Sequence, residues 1–393
     1  MSMKFTKSMM LLISVLISVV FTSCKDESDE PLDPSEDGRL ILIYAVAANN
    51  LQYNLTADMS EILQVAPKLD LVNNAVLVYY VRQDGLCKLA RLTKTQEGKY
   101  DFLEETTFPD EPLSTTSERM REVFSYVETN YNYSNKGLIM WSHGTGWLYW
   151  PDGSGPGSKY KAFGEDKYEG KTYKTNIPEL AEGIPAGMFD FIWFDLCYAA
   201  NIETIYQLRD KTPYIIGSVI EISANGMPYD ITMPYLLNAD ANIMGAAGAF
   251  SDYYARYDTP YAMSILRTDR LPELADISRE IIAIGQAPAD FRNIQNYSIL
   301  FENGKRTTFY DLEQLLDGYG DVPTTLKQKL ADCMSRLVIF NRISDFNWSN
   351  RYVTTNEMID VEDCSGVSMN HFVDNGSESS EYYKTLDWYK AIY

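Results

Sequence analysis

Residues 136–147 read KGLIMWSHGTGW, an apolar run that ends at a polar His143 flanked by small residues. A second apolar run lies downstream in FDFIWFDLCYAANIETI, residues 189–205, and ends at Cys197. The 393-residue chain contains only two histidines. If the protein uses imidazole chemistry, either His143 or His371 must supply it.

Near-continuous apolar runs such as these are typical of strands that are covered on both faces of a sheet. Between them lie stretches whose apolar residues recur at helical spacing. Strands of this kind that alternate with helices predict an α/β fold, with a mostly parallel sheet in a three-layer sandwich. The five runs start at residues 39, 75, 137, 189 and 213.

Three local patterns add detail to this arrangement. The segments CKLARL and KYDFLEET predict a hairpin around Gly98. The stretch 114–131 predicts an amphipathic helix that starts near Thr116 or Ser117. A further helix is predicted in LTADMSEILQVA, with Thr56 as its N-cap.

The chain divides by composition into four segments. Residues 1–23 have the charged start, short apolar run and small-residue end of a secretory signal peptide, so we exclude them from the fold. Residues 24–38 are acidic and contain proline and serine, which is typical of a tether. Residues 39–235 carry the five predicted strands and form the core. The mostly helical region 236–393 is predicted to complete this domain, with one more strand in GVSMNHF and a closing helix in YKTLDWYKAI.

The chain is strongly acidic, with 34 basic and 55 acidic residues and a formal net charge of −21. Such a surface repels phosphate backbones and argues against nucleic acid as a ligand. The cysteines form no CxxC pair, so we predict no metal site and no required cofactor. An oxidising compartment would permit a disulfide between Cys333 and Cys364, and the sequence leaves that pairing open.

The two strand ends carry the side chains for a nucleophilic reaction. Because parallel strands present their carboxyl ends at one edge of a sheet, His143 and Cys197 should lie together there. Cys197 precedes a predicted helix, whose N-terminus would stabilise the thiolate. Gly144 would let the backbone approach a substrate, so its N–H and that of Cys197 could bind an oxyanion. The alternative is that Cys197 is a small core residue and His143 caps a turn.

The segments SHGTGW (142–147), FDLCYAANIE (194–203) and GSVIEISANGMPYD (217–230) resemble the clostripain family of cysteine peptidases. The opening LIYAVAANNLQ resembles the first strand of that family and its Asn-Asn-Leu turn. The likeness covers about residues 39–235. It implies a caspase-like three-layer sandwich with a mostly parallel sheet, a catalytic core in this region and a helical C-terminal extension.

Carried over by position, the resemblance makes His143 the catalytic histidine, Cys197 the nucleophile and Gly144 a contributor to the oxyanion hole. Clostripain-like enzymes cleave after arginine or lysine, and Asp195 matches the acidic residue implicated in binding that cation. A structural aspartate that hydrogen-bonds strand-end amides is the alternative for Asp195. Glu221 and Asn225 are secondary candidates for the wall of the same pocket.

Family members are often activated by self-cleavage between the two catalytic residues. The loop 148–175 is rich in glycine and lysine and offers Lys159 and Lys161 as targets for an enzyme with that preference. Some relatives depend on calcium, and the acidic surface permits calcium, although no EF-hand spacing is present.

The start of the chain predicts its location. Cys24 follows small residues, as in a bacterial lipobox, and would become the lipidated first residue. The next residues, CKDESDE, resemble the surface-export signal of Bacteroidetes lipoproteins. We therefore expect an outer-membrane lipoprotein, exposed at the cell surface and held in the membrane by lipid on Cys24.

The leading hypothesis is a surface-anchored cysteine endopeptidase that cleaves protein or peptide substrates after basic residues. A second hypothesis is a catalytically silent lipoprotein that keeps the scaffold and binds peptide or glycan. A third is a related cysteine peptidase with a different primary specificity.

Overall fold

The computed structural model describes residues 38–148, 163–238, 240–300, 306–348, 358–361 and 363–393. The predicted signal peptide, nearly all of the tether and the lipidation residue Cys24 lie outside these residues. The predicted self-cleavage residues Lys159 and Lys161 also lie outside them.

The strands, in chain order, are β1 Arg39–Val46, β2 Ala75–Val81, β3 Cys87–Lys94, β4 Tyr100–Phe108, β5 Asn135–Trp141, β6 Phe163–Tyr168, β7 Lys171–Thr175, β8 Phe191–Asp195, β9 Tyr214–Gly217, β10 Ala262–Arg267, β11 Asn296–Leu300, β12 Arg306–Asp311, β13 Val338–Ile343, β14 Phe346–Trp348, β15 Met358–Asp360 and β16 Ser368–Asn370.

The helices are α1 Gln52–Val65, α2 Ser117–Asn130, α3 Ile177–Gly183, α4 Ile202–Gln207, α5 Tyr229–Leu236, α6 Ile243–Arg256, α7 Leu271–Ile284, α8 Leu312–Asp317, α9 Thr324–Leu337, α10 Glu378–Tyr383 and α11 Asp387–Ile392. Among the described residues, no helix is long and apolar enough to cross a membrane.

Nine of the described strands form one sheet, in the order β13-β10-β9-β8-β5-β1-β2-β3-β4. The five central strands, from β9 to β2, are parallel, and they are the five apolar runs of the sequence. The predicted hairpin around Gly98 is present as β3 and β4, which extend one side in antiparallel pairing. The mostly parallel α/β sheet predicted from the sequence is confirmed.

Successive side chains of a strand point to opposite faces of the sheet. Helices cover both of these faces. On one face, Ile41 and Ile43 of β1 pack in a cluster with residues of α1, α5 and α6. On the other face, Leu40 and Leu42 pack in a cluster that includes residues of α2, α3, α4, α7 and α9. The β1 residues of both clusters are buried. The sheet therefore lies between two layers of helices, in a three-layer sandwich.

The C-terminal region adds two strands to the sheet that the sequence did not predict. β10 pairs antiparallel with β9, and β13 pairs antiparallel with β10. β13 follows α9 without a break, so its apolar residues continue the helical pattern of the sequence. The predicted strand in GVSMNHF is present as β16, which pairs with β12 rather than with the main sheet.

Helix starts follow local hydrogen bonding. Thr116 caps α2 as predicted, because its side chain accepts a hydrogen bond from the backbone of Arg119. Thr56 is not the N-cap of α1, since that helix already begins at Gln52. Its hydroxyl instead donates to the Gln52 carbonyl one turn earlier.

The C-terminal segment packs against the turns that follow β5 and β8. The ring of Tyr383 lies 4.7 Å from that of Trp147, beyond β5, in an edge-to-face contact. Its hydroxyl donates at 2.6 Å to Glu203 in α4. Asn370 N and Asn201 Nδ2 also donate to the Glu203 carboxyl group, which is completely buried. The last two helices therefore support the edge of the sheet at which both turns meet.

Candidate active site

β5 and β8 are neighbours in the sheet and run parallel, with Trp141 opposite Asp195. His143 and Cys197 each follow two residues later, so both turns leave the same edge side by side. The structure thus brings together the two residues that the sequence selected. Both side chains are half-buried.

The turn that carries His143 lies directly on the turn that carries Cys197. A Cβ atom at Gly144 would stand 2.3 Å from Leu196 Cδ1 and 2.9 Å from the Cys197 carbonyl oxygen, so only glycine fits there. Gly146 has a φ of +67°, and a Cβ at that position would approach the Tyr198 carbonyl oxygen at 3.2 Å. The close contact explains both glycines of the SHGTGW segment, while the oxyanion role of Gly144 stays a prediction.

Cys197 stands on a sharp turn. The next residue, Tyr198, has a φ of +59°, a conformation that costs about 1–3 kcal/mol for a residue other than glycine. The turn is held because Tyr198 N donates to the Ile220 carbonyl at 3.0 Å. The Cys197 thiol lies 3.9 Å from the Ile222 carbonyl oxygen. Backbone strain of this kind is common at functional sites.

The expected support of the Cys197 thiolate by a helix N-terminus is wrong. α4 begins at Ile202 and is capped by Asn201, whose side chain accepts from Thr204 N. Cys197 therefore lies four residues before the cap, and the helix has only six residues. The field of a helix end acts over about one turn, so it contributes little at this distance.

His143 is hydrogen-bonded to a residue that sequence reasoning missed. Its Nε2 lies 2.8 Å from Oδ1 of Asn50, which follows β1, the other neighbour of β5. The Asn-Asn-Leu turn was noted in the sequence without a role for Asn50. Its position could have identified Asn50 as a candidate, because Asn50 follows a strand next to the one that carries His143.

The second histidine lies in aromatic packing. The ring of His371, just beyond β16, is 4.8 Å from that of Phe291. Burial lowers the pKa of His371. These contacts account for its position without a role in the reaction.

Asp195 is only 4% exposed and is partly satisfied by hydrogen bonds. Its Oδ2 accepts from Met227 N at 3.1 Å and from the Tyr229 hydroxyl at 3.0 Å. Its Oδ1 is buried and has no hydrogen-bond partner among the described residues. The bond to a backbone amide fits the structural role, whereas the unpartnered oxygen fits a role in binding a ligand.

A cavity of about 200 Å³ lies against α1, and Asp195 is near it but is not part of its wall. Its wall includes Asp58 and Glu61 of α1, Asn225, and Tyr254, whose hydroxyl donates to the Gly226 carbonyl. The predicted residue Asn225 is therefore part of this wall, whereas Glu221 does not line the cavity and lies near Tyr198 instead.

Asp58 and Glu61 were missed in the sequence, because acids on a predicted amphipathic helix are usually on its solvent-facing side. Asp58 is 3% exposed and accepts a hydrogen bond from Trp141 Nε1 at 2.8 Å. Trp141 is the register partner of Asp195, so both side chains emerge on the face that α1 covers. Asp58 and Asp195 are thereby neighbours.

The carboxyl groups of Asp58, Glu61 and Asp195 lie close enough to disfavour ionisation of one another. Desolvation, together with the nearby Asp195, raises the pKa of Asp58 to about 9. Desolvation also raises the pKa of Asp195 to about 6, and that of Glu61 above its usual value. No lysine or arginine in the described ranges contributes to any of these shifts. A bound cation would therefore relieve the repulsion in this cavity.

The remaining cysteines do not form a second site. Cys87, Cys197, Cys333 and Cys364 are all free thiols, so the pairing of Cys333 with Cys364 that the sequence left open is not formed. Burial raises the pKa of Cys333 to about 11 and of Cys364 to about 12. Across the described part of the chain, no group of three or more His, Cys, Asp or Glu residues could hold a metal ion.

Comparison with known proteins gives the same picture. The model of the clostripain family matches residues 43–392. A secreted C11 cysteine protease from Bacteroides thetaiotaomicron, solved with an irreversible peptide inhibitor, is 26% identical, with a TM-score of 0.79 over 90% of this chain and 98% of that chain. An inactive zymogen C11 protease from Parabacteroides distasonis is 26% identical, with a TM-score of 0.77 over 92% and 99%.

A further secreted C11 cysteine protease from Bacteroides thetaiotaomicron is 23% identical, with a TM-score of 0.76 over 92% of this chain and 100% of that chain, and it supports the fold alone. No curated protein matches the sequence. The caspase-like fold predicted from the sequence is confirmed, and the protein is a cysteine peptidase. Since the family model spans nearly the whole described chain, the chain belongs to the clostripain family.

Proposed function

We propose that the protein is an endopeptidase that cleaves after arginine or lysine, with Cys197 as nucleophile and His143 as general acid and base. The observation that carries the specificity is the cavity lined by Asp58 and Glu61. Asp195 lies close enough to raise the pKa of both acids, and no cation from the described residues compensates the three carboxyl groups. An arginine or lysine side chain of the substrate supplies that charge.

The proposed reaction uses side chains and backbone N–H groups of the two adjacent turns. His143 takes the proton of the Cys197 thiol, and the thiolate attacks the carbonyl carbon of the scissile amide. The N–H groups of Gly144 and Cys197 are proposed to bind the oxyanion. His143 then protonates the leaving amine, which departs and leaves a thioester. Water, deprotonated by His143, hydrolyses the thioester and restores the thiol.

Replacing Cys197 by alanine tests the proposed nucleophile. We expect hydrolysis of Arg- and Lys-linked reporter amides to fall by more than about 10,000-fold, because no thiolate remains to form the acyl-enzyme. Initial rates of purified wild type and Cys197→Ala measure this. Cys333→Ala, which removes a buried thiol of high pKa, is the matched control and should retain activity. Equal rates for wild type and Cys197→Ala would remove Cys197 from the reaction and favour the silent binding protein.

The pH dependence of substrate binding follows from the raised pKa values in the cavity. At low pH, Asp195 and Asp58 hold protons that a cationic side chain must displace. As the pH rises through about 6 and then towards about 9, this displacement becomes easier, so basic substrates bind more tightly. A lysine substrate stays charged over this range, since its pKa is about 10.4.

For Lys- and Arg-linked reporters, KM should fall between pH 5 and pH 9, whereas a norleucine reporter should show no such trend. Asp195→Asn should lower kcat/KM for basic reporters about 10- to 100-fold, because a charge-assisted hydrogen bond is lost. The ratio of basic to norleucine kcat/KM within each variant is the readout, since a folding defect lowers both alike. Asp332→Asn, an exposed acid on α9, is the control. An unchanged ratio in Asp195→Asn would instead support a cysteine peptidase of another specificity.

We also propose activation by self-cleavage after Lys159 or Lys161. The described chain on either side of the loop is buried at Leu148 and Phe163. Gly164 N donates to the His143 carbonyl at 3.0 Å, so β6 is bound to the His143 turn. A 26% identical relative is described as an inactive zymogen, which supports an activation step.

Cleavage in this loop would leave His143 on one fragment and Cys197 on the other. Because β5 and β8 pair in the centre of the sheet, the fragments should stay together. We expect two bands on a denaturing gel but one species in native size-exclusion chromatography. Cys197→Ala and the double variant Lys159→Ala/Lys161→Ala should each remain intact. If wild type is also a single band, or if the double variant is cut in the same way, self-processing at these lysines is wrong.

The proposed location is the cell surface, as an outer-membrane lipoprotein anchored through Cys24. The sequence around Cys24 supports this, and a 26% identical relative from Bacteroides thetaiotaomicron is described as secreted. Expressed in a Bacteroides host with a labelled fatty acid, wild type should incorporate label, whereas Cys24→Ala should not. Label in both proteins would place the modification elsewhere, and label in neither would exclude the anchor.

A further inference from the structure

Asn50 contacts the reactive histidine in a way that its place in the fold does not otherwise require. Its Oδ1 lies 2.8 Å from His143 Nε2, although the two residues are 93 positions apart. Asn50 does not cap the helix that follows it, because the cap position of α1 is Leu51 and no side chain bonds there. The side chain is exposed at the cleft, so burial does not hold it in place.

We propose that Asn50 is a positioning residue that fixes the tautomer and orientation of His143. Its carbonyl oxygen accepts the Nε2–H, which leaves Nδ1 as the nitrogen that exchanges protons with the Cys197 thiol and the leaving amine. This inference rests on the proposed catalytic role of His143. With Asn50, the proposed pair of Cys197 and His143 becomes a row of three residues, which follow the neighbouring strands β8, β5 and β1.

The turn that carries Asn50 is built to be rigid. The side chain of Asn49 donates to the carbonyls of Val46 and Glu165, and its Oδ1 accepts from Leu51 N. The Asn49 carbonyl in turn accepts from Gln83 at 2.8 Å. Neighbouring bonds thus fix the backbone on both sides of Asn50 and hold its amide in one place.

The His143 turn is tied to the same platform. The hydroxyl of Ser142, the residue before His143, donates at 2.7 Å to the Val46 carbonyl at the end of β1. β1 and β5 pair in register up to Ala45 and Trp141. The amide and the imidazole therefore sit on two turns that cannot shift independently, which is what a positioning contact needs.

An amide suits this role through its acceptor oxygen. In the neutral histidine only one nitrogen carries hydrogen, and an acceptor at Nε2 selects the tautomer with hydrogen there. When His143 takes the thiol proton, the same bond becomes charge-assisted and stabilises the imidazolium. Asn50 exchanges no proton with the substrate, so its effect appears in kcat rather than in KM.

The tautomer can be observed directly, because the chain has only two histidines. In protein labelled with ¹⁵N-histidine, long-range ¹H–¹⁵N NMR spectra show which nitrogen carries hydrogen, and a His371→Gln sample assigns the signals. We expect neutral His143 in wild type to carry hydrogen at Nε2, and Asn50→Ala to show a mixture of tautomers. Hydrogen at Nδ1 in wild type would overturn the proposal, whether or not the variants fold or the reporters are cleaved.

Kinetics supply the second arm of the test. Asn50→Ala should lower kcat about 10- to 100-fold with KM unchanged, the loss expected for one hydrogen bond to a charged group. Asn50→Asp keeps the acceptor and adds a negative charge, so it should retain more activity and move the NMR titration of His143 to higher pH. The controls are Asn130→Ala and Asn130→Asp, at an exposed position that ends α2.

A kcat for Asn50→Ala within twofold of wild type would overturn the proposal. Equal losses in Asn50→Ala and Asn50→Asp, with the His143 titration unmoved, would also overturn it and leave Asn50 a structural residue. If wild type fails to cleave basic reporters, only the proposed specificity fails, because the tautomer measurement still decides the role of Asn50.

Discussion

The parallel pairing of β5 with β8 places together the groups that we propose to be reactive. The register that sets Trp141 opposite Asp195 makes the chain leave both strands at the same level. The two turns then meet so closely that Gly144 has no room for a side chain beside Leu196. On the other side of β5, the pairing with β1 brings Asn50 to His143. One run of three adjacent strands therefore aligns an amide, an imidazole and a thiol.

The same register also brings the carboxyl groups of Asp195 and Asp58 close together beside these three residues. Asp195 must emerge on the face of Trp141, and Trp141 donates a hydrogen bond to Asp58 of α1. Desolvation raises the pKa of both acids, and the described residues bring no cation to them. A basic side chain bound there would favour the ionised carboxylates and form charge-assisted hydrogen bonds with them. The proposed specificity and the proposed catalysis are linked here by the spacing of two residues between Asp195 and Cys197.

Much of this could be predicted from the sequence, because parallel strands buried on both faces leave a clear apolar pattern. The runs that became β1, β2, β5, β8 and β9 were all visible, and the scarcity of histidine narrowed the choice of base to two residues. His143 follows a predicted strand, whereas His371 lies within the predicted strand GVSMNHF, which favoured His143. The family resemblance, which the family model confirms, gave the same pair.

Other features could not be predicted, because they depend on contacts between distant segments. Asp58 and Glu61 stand on an amphipathic helix, where an acid reads as a solvent-facing residue until α1 is placed on the sheet. The role proposed for Asn50 depends on a contact with a residue 93 positions away. β13 was hidden because its apolar residues continue the pattern of α9. The expected helix behind Cys197 begins later than predicted, since Asn201 caps it four residues beyond the thiol.

Selective alkylation tests the central claim, that the paired turns make Cys197 the reactive thiol through His143. Wild type, His143→Ala and Asn130→Ala would be treated briefly with iodoacetamide near pH 7 and mapped by mass spectrometry. Burial raises the pKa of Cys87, Cys333 and Cys364, so these thiols should react slowly in all three proteins. We predict that Cys197 is labelled first in wild type and Asn130→Ala, and much more slowly in His143→Ala. Preferential labelling of another cysteine, or a Cys197 rate that does not change without His143, would contradict this account.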